Sequence, residues 1–151
     1  MKFIDQLKEK AKQNKKTIVL PETSDMRTIE AAGKVLAEGI ANIILVGDKE
    51  DIMSRAGDID LSGASFVDPK NYEKFDEYVD AFVEMRRKKG MTEARAKELL
   101  LTNPLYFGCM MVKQDDADGM VAGAINASAD VLRAALQTLK TAPGTRIVSA
   151  F

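Results

Sequence analysis

The residues best suited to bind an anion lie in one stretch, from Asp118 to Arg133. The pattern there predicts a strand, a turn of small residues and a helix that starts near Ser128. The first N–H groups of a helix are unpaired and attract phosphate or carboxylate groups. Ser128 can cap this helix or hydrogen-bond an anion, and Arg133, about one and a half turns further on, can reach back to the same anion. The alternative is an ordinary turn with a solvated arginine.

Arg86, in the basic run that ends another predicted helix, is a second candidate. Helical spacing places Arg86 on the apolar stripe of that helix and turns Arg87 about 100° away. The apolar stripe consists of Phe75, Val79 and Phe82. Arg86 therefore either extends from the edge of the core into water or points into a ligand cleft.

The segment Pro21–Arg27 joins a predicted strand to a predicted helix and carries both signs of charge. It is either a loop that contacts a ligand or a capped helix start with a local ion pair, and the second interpretation is favoured.

Composition excludes several classes of site and partner. The chain has no histidine, which removes histidine bases and histidine-ligated metals. The single cysteine, Cys109, lies among apolar residues and is expected to be a buried, inert thiol. The net charge is −1, so neither nucleic acid nor a membrane is expected as a partner. The sequence starts without a signal-peptide pattern, and we expect a cytoplasmic location.

Short aliphatic runs alternate with amphipathic stretches, which is typical of parallel strands joined by helices. Strands are predicted over Thr17–Leu20 and 43–46, with a helix between them capped by Ser24 or Asp25. The other predicted elements are a helix over 72–89 ending at Gly90, a helix from Thr92 to about Leu101, a short buried helix over 105–112, a buried strand over 119–123, a helix from Ser128 to Lys140 with Leu132, Leu136 and Leu139 facing inward, and a strand over 146–151.

With these motifs in place, the stretch 118–151 resembles the signature region of phosphate acetyltransferases, in which a D-G-M-V-x-G-A run precedes a turn, an Asp and an Arg. The amino-terminal V-L-P-E and L-V-G-D motifs and the basic run R-R-K-K-G-M-T also resemble the family, and all occur in its order. The likeness covers nearly the whole chain. Phosphate butyryltransferases and part of some malic enzymes share weaker versions of these motifs.

This resemblance implies an α/β fold with three α/β/α layers and a mostly parallel sheet, similar to isocitrate and isopropylmalate dehydrogenases. Residues 1–144 would form the first of two domains, and 145–151 would begin the second, so we expect the chain to be truncated there. The family also implies a homodimer with its active site between the domains.

The resemblance implies an acyltransferase that moves an acetyl group between acetyl phosphate and coenzyme A by direct thiol attack. Arg133 matches the arginine at the phosphoryl group and Arg86 the one associated with coenzyme A, while Asn126, Ser128 and Asp130 would help to bind substrate. Coenzyme A is then a substrate, and no cofactor is expected. The base that takes the thiol proton would lie in the second domain, so this chain alone is expected to be an inactive half-site.

Three alternatives remain. The family turn commonly carries histidine where this chain has Asn126, which puts an acid–base role in doubt and leaves a phosphate butyryltransferase open. A second alternative is a non-catalytic module that binds acyl phosphate or coenzyme A. A third, half of a nucleotide-dependent dehydrogenase, is disfavoured because the glycine fingerprint is absent.

Overall fold

The structure, a computed structural model, describes residues 1–146 and centres on a parallel four-stranded sheet in the order β3-β2-β1-β4. The strands are β1 (Thr17–Leu20), β2 (Asn42–Val46), β3 (Ser65–Val67) and β4 (Gly119–Met120). The helices are α1 (Phe3–Gln13), α2 (Met26–Glu38), α3 (Lys49–Ala56), α4 (Phe75–Arg86), α5 (Glu93–Thr102), α6 (Pro104–Lys113) and α7 (Ser128–Thr138). Short 3-10 turns cover Pro69–Asn71 and Arg87–Lys89.

Helices cover both faces of this sheet. Successive strand residues point to opposite sides, and the apolar side chains on each side are buried under helices. The side chains on one face pack against α4, α5, α6 and α7, and they are Val19, Ile44 and Val46. Those on the other face pack against α2 and α3, and they are Leu20, Ile43 and Leu45. The predicted three-layer α/β/α arrangement with a parallel sheet is therefore confirmed.

The predicted strand–helix–strand unit is also confirmed, and its helix has well-defined ends. The Asp25 carboxylate accepts a hydrogen bond from the Arg27 N–H at 2.8 Å, so Asp25 rather than Ser24 caps α2. Gly39 ends the helix with φ at 68°, a conformation that costs glycine little. Thr92 caps α5, as predicted.

The predicted helix over 72–89 begins later and ends earlier than its pattern suggested. A 3-10 turn capped by Asp68 comes first, so Tyr72 lies outside the helix, which starts at Phe75. At the other end the last turn tightens into 3-10 geometry from Arg87 before Gly90 stops it with φ at 84°.

The predicted buried strand over 119–123 was wrong in length and in burial. Only Gly119 and Met120 pair with β1, and both are half-buried. The Val121 N–H still donates to the Val19 carbonyl at 3.1 Å, but the Val121 side chain is 62% exposed. The segment is only partly covered because β4 lies at the edge of the described sheet.

The predicted inward face of α7 was also partly wrong. Leu136 is exposed, whereas Ala134 and Thr138 are the buried residues of this helix. Leu139 packs against the core from just beyond the end of α7. The helix lies close to α6, and small side chains suit such an approach better than leucines do.

The predicted strand over 146–151 extends outside the described residues, and the domain boundary at 144 stays a prediction. Within the described residues, none of the helices has the length and apolar character that crossing a bilayer requires.

A polar cluster joins α4 to the loop that leads into β4. The buried Tyr78 hydroxyl donates to the Asp116 carboxylate and lies 3.2 Å from the Tyr72 hydroxyl. Lys74 pairs with the other Asp116 oxygen at 2.6 Å. Burial raises the pKa of Asp116, but hydrogen bonds from Lys74 and Tyr78 outweigh burial and lower it. The cluster therefore holds a charged carboxylate between two elements of the core.

We expect Tyr78→Phe to lower the free energy of unfolding by about 2 kcal/mol, because it removes a hydrogen bond to a charged group and keeps the ring. Urea denaturation checks this. Tyr72→Phe is the matched control and should cost less than about 1 kcal/mol, because the Tyr72 hydroxyl bonds the neutral Tyr78 hydroxyl. Equal losses in the two variants would contradict the charge-based account.

Candidate functional site

The helical side of the molecule carries a basic cleft of about 360 Å³, hereafter the arginine cleft. It lies where the end of α4 approaches three other helices, α5, α6 and α7. Its lining residues are Arg86, Lys89, Gly90, Met91, Arg95, Leu99, Tyr106, Arg133 and Gln137. The two arginines named from the sequence, Arg86 and Arg133, thus line one cleft although they come from different helices.

The arginine cleft has four cationic side chains in its lining and no acidic one. Two of the cations have partners outside the lining: Arg133 bonds Asp130 at 2.7 Å, and Arg95 bonds Glu98 at 3.3 Å. Arg86 is half-buried, and among the described residues no carboxylate lies within salt-bridge distance of it. The cleft is therefore suited to an anionic ligand.

Tyr106 is a buried residue in the lining of the arginine cleft. Its hydroxyl donates to the Gln137 side chain at 2.8 Å. Burial raises the pKa of Tyr106, while the positive charges of Arg133 and Arg86 act in the opposite direction. The two guanidinium groups therefore act on the same hydroxyl.

The turn between β4 and α7 is organised around the carboxylate of Glu22. Glu22 Oε1 accepts from the N–H groups of Gly123 at 2.6 Å and Ala124 at 2.9 Å. Glu22 Oε2 accepts from the N–H groups of Ile125 and Asn126 and from Asn126 Nδ2, each at 2.9 Å. The four amides of this turn thus already have an anionic partner inside the chain.

Glu22 is a buried, ionised group. Its residue is only 4% exposed, and burial alone raises the pKa of its carboxyl. Hydrogen bonds from Asn126, Ile125 and Ala124 outweigh burial and lower the pKa of Glu22 to about 2. The carboxylate therefore stays charged near neutral pH and cannot act there as an acid.

A second cleft, of about 410 Å³, opens at the carboxyl ends of β1 and β2 and is called here the sheet-edge cleft. Ligands of open α/β sheets commonly bind at this edge. The ionisable residues of its lining are Glu22, Asp48, Asp68 and Lys70. With three acids against one base, the sheet-edge cleft favours an anion far less than the arginine cleft does.

The remaining predicted site residues do not all meet in one place. Asn126 lines the sheet-edge cleft and bonds Glu22. Ser128 is exposed at the first position of α7. Of its two predicted roles, the helix cap is excluded, because Ala127 occupies the cap position without a side-chain hydrogen bond. Asp130 is exposed and pairs with Arg133.

Comparison with known proteins gives a consistent answer. Residues 2–151 match the family described as phosphate acetyl/butaryl transferase. The chain belongs to this family. Phosphate acetyltransferases from Acetivibrio thermocellus and Thermoanaerobacterium thermosaccharolyticum are each 52% identical to it over 151 residues. A solved phosphotransacetylase from Streptococcus pyogenes superposes with a TM-score of 0.87 at 36% identity over 97% of this chain, and one from Staphylococcus aureus with 0.84 at 38% over 95%.

The chain spans less than half the length of these phosphate acetyl/butaryl transferase relatives. It covers 45% and 46% of the two curated sequences and 46% and 44% of the two solved chains.

The sequence did not identify several residues that line the two clefts. Arg95 and Tyr106 enter the arginine cleft only because α5 packs beside α4, and α6 packs beside α5 and α7. The sequence placed Glu22 in a mixed-charge loop but gave no partner for it. The signals for Glu22 were its place in the V-L-P-E motif and its position two residues after a strand, where ligand-contacting loops occur.

Two other kinds of site receive little support. Cys109 is fully buried, as predicted, and burial raises the pKa of its thiol to about 11, which disfavours the reactive thiolate. Over residues 1–146, no three Asp, Glu or Cys side chains are grouped so that they could hold a metal ion.

Glu22 should make stability depend on pH. Its pKa is about 2 in the folded chain against 4.5 as the reference value, so it contributes about 3 kcal/mol above pH 5, and this is lost as pH falls towards 2. Glu22→Gln removes the ionisable group. We therefore expect the difference in unfolding free energy between wild type and Glu22→Gln to shrink by about 2 kcal/mol from pH 6 to pH 3, measured by urea denaturation.

Thr23→Val is the control for this experiment. It removes a buried neutral hydroxyl of the same loop, which donates to the Val46 carbonyl at 2.5 Å, so its cost should not vary with pH. A constant difference for Glu22→Gln over the same range would contradict the depressed pKa.

Proposed function

We propose that the protein carrying this chain is a phosphate acetyltransferase, which transfers an acetyl group between acetyl phosphate and coenzyme A. The observation that carries the proposal is the arginine cleft, in which Arg86 and Arg133 line one cavity with Lys89 and Arg95. Both substrates carry phosphate groups, and guanidinium groups bind phosphate through paired hydrogen bonds. The names of the relatives at 52% identity support the same activity.

In the proposed reaction the sulfur of coenzyme A attacks the carbonyl carbon of acetyl phosphate. The new C–S bond forms, the C–O bond to phosphate breaks, and the thiol proton passes to a base. Negative charge grows on the departing phosphate, and Arg133 is assigned to stabilise it. Arg86 is assigned to a phosphate of coenzyme A, and the two arginines together orient thiol and carbonyl.

The other assignments of this proposal follow the family resemblance. Ser128 is exposed at the start of α7, where its hydroxyl and the first helix N–H groups can contact acetyl phosphate. Asn126 is assigned through its side-chain oxygen, since its amide nitrogen donates to Glu22. Asp130 holds Arg133 until the substrate binds. The proposal also includes a base in a second domain and a homodimer. It includes no cofactor, because coenzyme A is a substrate.

A phosphate butyryltransferase is the second candidate, because the family description names both acyl groups. The reaction and the roles of the arginines would be the same. Only the pocket for the acyl chain would differ, so parallel assays with acetyl- and butyryl-coenzyme A separate the two activities.

We expect Arg133→Ala to lower kcat/KM by about 100-fold or more, because it removes a group that stabilises the departing phosphate. Arg86→Ala should raise KM for acetyl-coenzyme A about tenfold, the effect of losing one charged hydrogen bond to the substrate. The measurement is phosphate-dependent release of free thiol from acetyl-coenzyme A by the natural full-length protein.

Arg87→Ala is the matched control, since Arg87 adjoins Arg86 but is exposed and pairs with Glu84 at 2.8 Å. It should leave both constants within about twofold of wild type, as exposed ion pairs contribute little. Absence of turnover with both acetyl- and butyryl-coenzyme A by well-folded full-length protein would contradict the enzyme. Binding of coenzyme A without turnover would then favour the non-catalytic binding module.

A further inference from the structure

The segment Pro21–Arg27, which runs from the end of β1 into α2, holds the turn before α7 through two of its three charged side chains. Glu22 accepts hydrogen bonds from the four backbone N–H groups of residues 123–126 and from the side-chain amide of Asn126. From the same segment, at the second residue of α2, the Arg27 guanidinium donates to the Ala124 carbonyl at 2.7 Å. Glu22 thus bonds the N–H donors of the turn, and Arg27 bonds one of its carbonyl groups. Because both partners belong to one short segment, the turn has little freedom to move.

The position of this contact in the sheet is the one where a ligand is usually found. β1 has β2 on one side and β4 on the other, so the chain changes direction across the sheet between β1 and β4. The crevice at such a point commonly receives a ligand at the carboxyl ends of the strands. Here the protein's own carboxylate, Glu22, lines that crevice and accepts hydrogen bonds from the amides of the turn after β4.

The turn leads directly into α7, the helix that carries Ser128 and Arg133. Ala127 stands at the cap position of α7 and offers no side-chain hydrogen bond, so the helix start lacks the usual local anchor. The nearest fixed point before the helix is therefore the turn, and Glu22 fixes it. A change in the turn would shift Arg133 relative to Arg86, which lies on another helix.

We propose that Glu22 is a positioning residue: its carboxylate is a permanent internal anion that fixes the turn and the start of α7 and so places Arg133 in the arginine cleft. The role of Arg133 in catalysis rests on the proposed function, whereas the fixing of the turn does not.

Both oxygens and the negative charge are required for this role. An amide at position 22 would turn its NH₂ group towards either the N–H donors of Gly123 and Ala124 or those of Ile125 and Asn126. Glu22→Gln therefore sets donors against donors, although its size is nearly unchanged. Glu22→Ala instead leaves the donors open, with space for a small carboxylate from solution.

The test is rescue of Glu22→Ala by formate, in the natural full-length protein. Formate is the probe because acetate and phosphate resemble the substrates. Without formate we expect kcat/KM to fall about tenfold to 100-fold, as for a misplaced catalytic group. Formate at high concentration should recover most of this loss in Glu22→Ala. Neutral formamide should not, and formate should not rescue Glu22→Gln, whose side chain fills the space.

Hydrogen exchange of the amides of residues 123–126 is a second readout, independent of activity. These amides should be protected in wild type, exchange at least tenfold faster in Glu22→Ala, and regain protection with formate. Asp48→Ala is the matched control: it removes an acidic cap at the same sheet edge, which accepts from the Asp51 N–H at 2.8 Å. It should destabilise α3 without affecting exchange of the turn or responding to formate.

Each outcome bears on the proposal. Formate recovery of both activity and protection supports it. Unchanged protection of the turn in Glu22→Ala overturns it. A loss of activity in Glu22→Ala that matches the loss of folded protein and does not respond to formate also overturns it, because that is the result of a purely structural role. If wild type shows no turnover, the proposed function fails, and the exchange experiment still decides whether Glu22 fixes the turn.

Discussion

The contact between Glu22 and residues 123–126 is the interaction on which the candidate site depends. It buries a full charge, which is unfavourable unless every lone pair finds a donor. Five hydrogen bonds meet that requirement and keep the carboxylate ionised. The donors lie about a hundred residues further along the chain, so this contact forms only when β1 and β4 are adjacent. Local order at the start of α7 is thus a consequence of the tertiary fold.

Sheet order and small residues make this contact possible. Parallel strands place all their following loops at one edge, so the loop after β1 and the turn after β4 must meet. Four successive N–H groups can converge on one carboxylate only if the backbone curls tightly. Gly123, with φ at 114°, permits that curl, and Ala124 adds little bulk. The small-residue run that identified this stretch in the sequence is therefore explained by an internal anion, where the sequence alone suggested a bound one.

Much of the fold was predictable because its signals are local. β1, α2 and β2 follow from aliphatic runs and helical spacing, and the caps at Asp25 and Thr92 follow from side chains that bond N–H groups two or three residues away. The errors fall where tertiary packing decides. The aliphatic pattern cannot show that β4 lies at a sheet edge, and helical spacing cannot show that α7 turns Ala134 rather than Leu136 to the core. Glu22 was missed for the same reason, since its partners are remote in sequence. Helical spacing named Arg86 and Arg133 but left a solvated arginine open for each, and the family resemblance supplied their roles.

The two anion-binding features of the chain differ in how easily they exchange partners. Glu22 is buried and holds five donors, so an incoming phosphate would have to displace a desolvated charge and leave it unpaired, which is strongly unfavourable. The ion pair of Arg133 with Asp130 is more than half exposed on both sides, and such pairs contribute about 1 kcal/mol or less. Arg133 can therefore leave Asp130 for a phosphate at little cost, while the turn behind it stays fixed. This difference favours the arginine cleft over the turn as the place for an anionic ligand.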